Sequence, residues 1–223
     1  TDNESAPTVT LSTGAAAIDE DSSSTVTITA TLSVATFQDV TVTIDGTGGT
    51  GTEGTDFGTV SDITISAGAT TGTAAVDPTD DNVYEGNETA GISISGVSGG
   101  GASESGSQTV SVTITDDESL PTVTLTVSGT SIAENAGTSL TITGTLSGTT
   151  DQTVTLALGT SGSATEGTDY TDGSGNIDNI TISAGSTTGT VNFTPTNDSV
   201  YEGNETAIIE ITSSSGADSG NSG

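Results

Sequence analysis

The most constraining feature of this sequence is that it repeats itself. Residues 7–11 (PTVTL) recur as residues 121–125, and residues 83–89 (VYEGNET) recur as residues 200–206. The match runs through nearly the whole chain, and each copy is about 115 residues long, the size of a β-sandwich domain rather than of a solenoid unit. The repeat therefore predicts two homologous domains, 7–120 and 121–223, preceded by a linker or the tail of an earlier repeat at residues 1–6.

Each repeat has the period-2 pattern of half-buried β-strands. Residues 25–32 (TVTITATL) and 40–44 (VTVTI) alternate apolar side chains with Thr, so that one face is apolar and the other polar. Similar segments predict further strands at residues 9–11, 62–65, 72–76, 90–94 and 109–115. Seven short strands separated by Gly, Ser, Asn and Asp indicate an all-β, antiparallel sandwich, and no segment has helical periodicity.

The charge of the chain excludes several classes of partner. It has 30 Asp and Glu residues and no Lys, Arg or His, for a formal net charge of −30. Without cations it cannot neutralise the phosphates of a nucleic acid or the surface of an anionic membrane. The absence of Cys and His excludes disulfides and soft metal sites. Only hard oxygen ligands remain, and these favour divalent cations wherever the acids cluster.

The acids do cluster, at four places in the repeat: around residues 18–21, 54–57, 80–88 and 116–118 of the first copy. The first three recur in the second copy. All are predicted to be loops or strand ends, and such loops meet at one end of a sandwich. Converging carboxylates repel one another, whereas Ca²⁺ accepts six to eight oxygen ligands in flexible geometry and fits better than octahedral Mg²⁺.

A simpler interpretation is that these acids are solvated turn residues, which suits Asp45 and Asp172 because each precedes a Gly. It explains less well why VYEGNET is intact in both copies. The recurring aromatic residues are expected to be core anchors rather than ligand contacts, and Glu53 and Glu166 are not assigned to the metal sites. These aromatic residues are Phe57, Tyr84, Tyr170 and Tyr201.

Residues 80–81 (DD), 83–89 (VYEGNET) and 114–118 (ITDDE) resemble the Calx-beta domain, a family known from sodium/calcium exchangers and from many bacterial surface proteins. The resemblance covers nearly the whole chain, twice. It implies two tandem seven-stranded immunoglobulin-like sandwiches, with calcium held between loops at one end in the calcium-binding members.

The same resemblance implies a set of calcium ligands. In the second domain Asn197 replaces the acid found at Asp80, and no acidic tail closes the domain, so weaker binding is expected there. The ligands implied in the first domain are Glu20, Asp56, Asp80, Asp81, Glu85, Glu88, Asp116, Asp117 and Glu118, with Val83 through its main-chain carbonyl. The ligands implied in the second domain are Glu134, Asp169, Asp198, Glu202 and Glu205.

The second domain is expected to lack its last strand. Residues 222–223 align with residues 105–106, so nothing corresponds to the strand that follows in the first domain. Two explanations stay open. Either the chain is a window from a longer array of repeats, or another subunit donates the strand, as in pilin-like fibres.

An enzyme is not expected. Without His, Cys or Lys no Ser–His–Asp, Cys–His or Lys-based nucleophile can be assembled, and three Tyr, three Phe and no Trp give little platform for a sugar. No apolar run is long enough to span a membrane. We expect a calcium-stiffened structural repeat of a secreted bacterial adhesin or extracellular filament, located at the cell surface, whose partners are neighbouring repeats or other copies. The alternatives are a calcium-dependent binding module for a glycan or protein, and a calcium sensor.

Overall fold

The structure, a computed structural model, describes residues 5–217. Its contacts divide the chain into two compact units, the first covering Thr1–Asp81 and Gly86–Asp117 and the second covering Asn82–Glu85 and Glu118–Gly223. The strands that begin in the first repeat are β1 (Thr8–Thr13), β2 (Ala17–Asp19), β3 (Val26–Leu32), β4 (Val40–Asp45), β5 (Ile63–Ile65), β6 (Thr71–Val76), β7 (Val83–Tyr84), β8 (Glu88–Ser98), β9 (Ser103–Glu104) and β10 (Thr109–Thr115). Those of the second repeat are β11 (Val123–Val127), β12 (Leu140–Leu146), β13 (Thr149–Thr150), β14 (Val154–Gly162), β15 (Tyr170–Thr171), β16 (Ile180–Ile182), β17 (Thr188–Pro195) and β18 (Ala207–Ser215).

The first unit is a sandwich of two sheets, ordered β6-β3-β1-β9 and β2-β10-β8-β4-β5. Alternate residues of β3 and β4 face inward. Ile28 of β3 and Val42 of β4 are buried, whereas the Thr residues that alternate with the apolar positions in each strand are more exposed. Side chains from both sheets form one continuous core around Phe57. The predicted all-β sandwich is therefore confirmed, and the apolar face of each strand is the one that the alternation indicates.

All seven strands predicted for the first repeat are present. The structure adds the short strands β2 and β9, which pair in parallel with β10 and β1, and β7, which pairs in parallel with β13. The main ladders are antiparallel, as predicted. The short strands have the sequences AID, VY and SE, which show no alternation of apolar and polar residues, so the sequence did not reveal them.

The second unit repeats this plan with fewer strands. Its sheets are ordered β11-β12-β17-β15 and β16-β14-β18, with β13 and β7 forming a two-stranded sheet. Its core is built around Tyr170, whose ring stacks on that of Phe193 with 4.6 Å between the ring centroids. Where the first unit has strand β2, the second has a single 3-10 turn at Glu134–Ala136.

Strand β18 lies at the end of its sheet and pairs only with β14 among residues 5–217. Its counterpart β8 pairs with β4 on one side and with β10 on the other. Residues 222–223, on which the prediction of a missing last strand rests, lie outside the described residues. Across residues 5–217, no helix has the length and apolar character needed to span a membrane.

Candidate metal centres

The loop after β7 brings two acids of the VYEGNET segment to the same side. Gly86 has a φ of 74° and its counterpart Gly203 a φ of 82°, left-handed values that a residue with a Cβ adopts only at a cost. This left-handed glycine lies between Glu85 and Glu88 in the sequence, and Gly203 lies in the same way between Glu202 and Glu205 in the second repeat. The glycine of the shared segment is thus explained by backbone conformation rather than by binding.

A second loop supplies one Asp in each repeat. Asp56 accepts a hydrogen bond from the backbone N–H of Thr52 at 2.5 Å, and Asp169 accepts the equivalent bond from Thr165 at 2.6 Å. Each of these two Asp residues immediately precedes an aromatic residue, Phe57 or Tyr170, that forms an isolated β-bridge. Because a carboxylate has two oxygens and about four lone-pair sites, the turn leaves it able to accept further ligands.

These two loops converge in both repeats. Carboxylate oxygens of Asp56, Glu85 and Glu88 lie within 4.8 Å of one another, and those of Asp169, Glu202 and Glu205 do the same. The three positions correspond between the repeats, although each group is built from segments about 30 residues apart in sequence. We call these groups the first and second carboxylate triads.

The first repeat has two further groups around a buried acid. Glu20 is only 5% exposed, and it lies within 4.8 Å of the carboxylates of Asp81 and Glu85 and, in another group, of Asp116 and Glu118. Its backbone N–H donates to the carbonyl of Thr115 at 2.9 Å. Strand β10 therefore orders the segment that carries Glu20.

The acidic tail of β10 is held by the VYEGNET loop. A carboxylate oxygen of Asp116 accepts a hydrogen bond from the backbone N–H of Gly86. The carboxylate of Glu20 accepts from the backbone N–H of Asp81 at 3.3 Å. The loops that the sequence predicted to meet at one end of the sandwich do meet in the first repeat.

The corresponding region of the second repeat brings fewer carboxylates together among the described residues. Glu134 still accepts a hydrogen bond from the backbone N–H of Asp198, at 2.5 Å. It is exposed, however, and it belongs to none of the groups of three carboxylates found among the described residues. Its segment has no β10 equivalent to pair with among residues 5–217, so it forms a 3-10 turn instead of a strand.

Desolvation and, after it, neighbouring negative charges raise the pKa values of two acids in the second triad. Desolvation raises the pKa of Glu202 above its ordinary value, and the negative charges of Asp169 and Asp198 raise it further. The pKa of Glu205 is raised by desolvation and then by Asp169. The whole chain contains no Lys, Arg or His, so no side chain of this protein can relieve this repulsion with a positive charge.

All ten carboxylates in these groups belong to the predicted ligand set. Asp80, Asp117, Glu134 and Asp198 lie in none of the groups, and Val83 lies in the short strand β7. Apart from these four acids, the predicted acidic ligands therefore lie in groups of converging carboxylates. Their role as calcium ligands stays a prediction.

The expectation of four aromatic core anchors is half right. Phe57 and Tyr170 are fully buried, but Tyr201 is 97% exposed and so is wrongly predicted as an anchor, while Tyr84 is only partly buried. Glu53 and Glu166, which were not assigned to the metal sites, brace loops instead. Glu53 accepts from the backbone N–H of Val60, and Glu166 from that of Ile177.

Fold and loop geometry together define a tandem β-sandwich repeat protein with acidic loop clusters in each repeat. The model of the LapA domain family matches residues 6–117, just over half of the chain, and the chain belongs to that family. The model of the Calx-beta domain matches residues 116–221. The resemblance to Calx-beta domains is thus confirmed for the second repeat, whereas the first repeat matches the LapA domain.

The solved structures that match this chain include Calx domains. CBD12 from CALX1.2 is 19% identical over 84% of this chain and 74% of its own, with a TM-score of 0.44. The apo form of the Calx CBD1 domain is 19% identical over 50% of this chain and 99% of its own, with a TM-score of 0.41. No curated protein sequence matches this one.

Proposed function

We propose that this protein is a calcium-stiffened structural repeat of an extracellular adhesin or filament at a bacterial cell surface, with no catalytic role. The observation that carries the proposal is the recurrence of the carboxylate triad at corresponding positions of both repeats. Three carboxylates within 4.8 Å, in a chain with no cationic side chain, are a costly arrangement that a divalent cation relieves.

The donor set suits calcium. Every group consists of carboxylate oxygens from two separate segments of the chain, hard oxygen donors of the kind that Ca²⁺ accepts in flexible geometry, whereas Mg²⁺ requires a near-ideal octahedron. Glu85 belongs to two of the groups and Glu20 to two as well, so neighbouring ions could share ligands. The residues of the first repeat therefore fit the metal that the resemblance to Calx-beta domains implies.

Stiffening follows from where the acidic tail lies in the sequence. Asp116, Asp117 and Glu118 end just before Pro121, which opens the second repeat. A cation that holds this tail against the loops of the first repeat would restrict the linker that follows. The partners in this proposal are neighbouring repeats of the same kind or other copies of the chain.

Isothermal titration with Ca²⁺ and with Mg²⁺ tests the proposal. We expect calcium to bind with a dissociation constant of roughly 10⁻⁴ to 10⁻³ M, the range of extracellular calcium modules, and magnesium to bind more weakly. Combining Glu88→Gln with Glu205→Gln alters both triads and should weaken calcium binding at least tenfold.

The matched control combines Asp62→Asn with Asp178→Asn, which removes the same charge from exposed acids outside the groups. It should change calcium affinity by less than twofold. Small-angle scattering should show a narrower distribution of chain dimensions with calcium than with chelator. Equal binding by both double variants, or no calcium heat at all, would contradict the proposal.

One observation favours a second candidate, a calcium-dependent binding module for a glycan or protein. Tyr201 and Val200 are 97% and 61% exposed and immediately precede Glu202 of the second triad. An exposed aromatic ring beside a metal centre is a common contact for a ligand. A binding module would lose its ligand in the variant Tyr201→Ser, whereas a structural repeat would keep its calcium response and its dimensions unchanged.

A further inference from the structure

The second compact unit contains one short strand from the first repeat. Strand β7 pairs in parallel with β13, and both strands lie in this unit, although β7 belongs in sequence to the first repeat. Val83 lies opposite Thr149, and the next residue of each strand forms the next pair. The carbonyl of Tyr84 also accepts a hydrogen bond from the backbone N–H of Asp151 at 3.3 Å. The loop between β12 and β14 can therefore hold a two-residue strand from outside its own repeat.

The first repeat has the equivalent loop, residues 34–37, between β3 and β4. The carbonyl of Thr36 accepts a hydrogen bond from the backbone N–H of Gly68 at 2.8 Å, and the carbonyl of its counterpart Thr150 accepts one from Gly185 at 2.8 Å. Both Thr residues are buried, so the two loops are anchored to their sandwiches in the same way. Among residues 5–217, however, loop 34–37 pairs with no strand.

Loop 34–37 has apolar side chains where the paired loop has none. Phe37, which is 86% exposed, stands where the second repeat has Asp151, and the exposed Val34 stands where it has Gly148. The chain has only three Phe residues, and the other two lie in or against the two cores. Aromatic side chains are enriched at protein interfaces. Loop 34–37 therefore has the features of a contact surface.

The second repeat has the matching short segment. Residues 200–201 (VY) repeat the sequence of β7, yet they form no strand and both side chains are exposed. The side chains of Val83 and Tyr84, by contrast, are partly buried where β7 pairs with β13. Each repeat thus exposes one half of the β7–β13 contact: the loop in the first repeat and the VY segment in the second.

We propose that copies of this chain associate head to tail, with residues 200–201 of one copy paired in parallel with residues 35–36 of the next. The inference rests on the proposed structural role and deepens it by naming the two surfaces. The register is that of β7 and β13, so the backbone N–H of Phe37 donates to the carbonyl of Tyr201 in the other copy. Because the two surfaces differ, each added copy brings a free one, and association continues as an open filament.

The departures from the β7–β13 pairing suit a contact between separate molecules. Such a contact costs translational and rotational freedom that pairing within one chain does not, and burial of Phe37 offsets part of that cost. Two copies with a net charge of −30 also repel each other, and Phe37 in place of Asp151 removes a carboxylate from the contact. One hydrogen bond is lost, because the hydroxyl of Thr149 donates to the carbonyl of Asn82 and Ala35 has no hydroxyl.

Sedimentation equilibrium of the full 223-residue chain tests the proposal, in calcium and in chelator, at about 0.15 M salt to screen the repulsion between copies. We expect species larger than a dimer, with a dissociation constant of about 1 mM or tighter for each contact. Phe37→Ser and Tyr201→Ser should each weaken the association at least tenfold. The matched control is Val127→Ser, which replaces an exposed apolar residue outside both segments and should leave the association unchanged.

A mixture of the two variants separates a head-to-tail contact from any other. Phe37→Ser keeps residues 200–201 intact and Tyr201→Ser keeps loop 34–37 intact, so an equimolar mixture should form a dimer that does not grow. The proposal is wrong if either variant associates as strongly as the parent chain or if the mixture stays monomeric.

The outcome is distinguishable from that of the calcium proposal. Association in both buffers without any calcium heat in titration would support this contact and contradict the calcium-stiffened repeat. A parent chain that binds calcium but stays monomeric would overturn the contact alone, and would leave Tyr201 to the glycan or protein ligand considered above.

Discussion

The two repeats of this chain are similar in sequence but differ in the strands that residues 5–217 provide. In the first, β10 pairs with both β8 and β2, buries Ile92 and orders the segment of Glu20. In the second, β18 is an edge strand among the described residues and the segment of Glu134 forms an exposed 3-10 turn. One closing strand therefore determines both the burial of the core edge and the number of carboxylates that converge.

The comparison also separates what each carboxylate group depends on. The triads form in both repeats and so do not require the closing strand, although Glu88 of the first triad pairs with Ile114 of β10. The groups around Glu20 form only in the first repeat within residues 5–217, since they require the strand and its acidic tail. Calcium affinity should differ between the repeats for this reason rather than through the single replacement of Asp80 by Asn197.

The largest effect is expected from truncating the same isoleucine in each repeat. Ile92→Ala removes a fully buried side chain and should cost about 2–5 kcal/mol in the free energy of unfolding of the first unit. Ile209→Ala removes a partly exposed side chain from an open edge and should cost about 1 kcal/mol in the second. Urea unfolding followed by circular dichroism measures both.

Each of these variants is the other's control, since they differ only in the neighbouring strand. Equal losses of stability would mean that β18 is covered in solution as fully as β8. A further variant sharpens the result: in a variant extended after Gly223 by a second copy of residues 107–118, the segment that contains β10, the cost of Ile209→Ala should rise towards that of Ile92→Ala.

A smaller effect is expected from pH in the absence of calcium. The folded state raises the pKa of Glu202 and Glu205, so it holds their protons more tightly than the unfolded chain does. Their ionisation therefore opposes folding, and the second unit should gain stability as pH falls from neutral through the raised pKa values towards the ordinary value of 4.5.

The lowered pKa values of Asp45 and Asp172 act in the opposite direction, but only below their ordinary value of 3.8. Thermal melts in chelator between neutral pH and about pH 4.5 measure the effect, and Glu202→Gln should flatten it. Saturating calcium should reverse it, because protons then compete with the metal. A melting temperature that falls steadily on acidification in chelator would show that the folded state does not raise the pKa values of Glu202 and Glu205.

Much of this fold could be predicted from the alternation of apolar and polar residues in the strands and from the internal sequence repeat. The seven principal strands of the first repeat follow from period-2 patterning, as in Val26–Leu32, and the converging acids follow from their recurrence. The short strands β2 and β9 could not be predicted, since their residues do not alternate between apolar and polar and they form by pairing in parallel with β10 and β1.

The candidate site was predictable by residue type but not by geometry. Glu20 and Glu134 occupy equivalent positions in sequence, yet one is buried among carboxylates and the other is exposed. Tyr201 likewise copies Tyr84 but lies in solvent. In each case the local sequence is similar and the neighbouring strands differ, and that tertiary difference cannot be read from one segment alone.

The most direct test of the central claim, that calcium stabilises both repeats and the first one more, is scanning calorimetry of the whole chain in excess calcium and in chelator. Ile92→Ala and Ile209→Ala assign the two transitions. Calcium at about 100 times its dissociation constant should add roughly 2.7 kcal/mol per site, so both transitions should rise, the first by more. Transitions that coincide in calcium and chelator, or a rise confined to the second unit, would contradict the account.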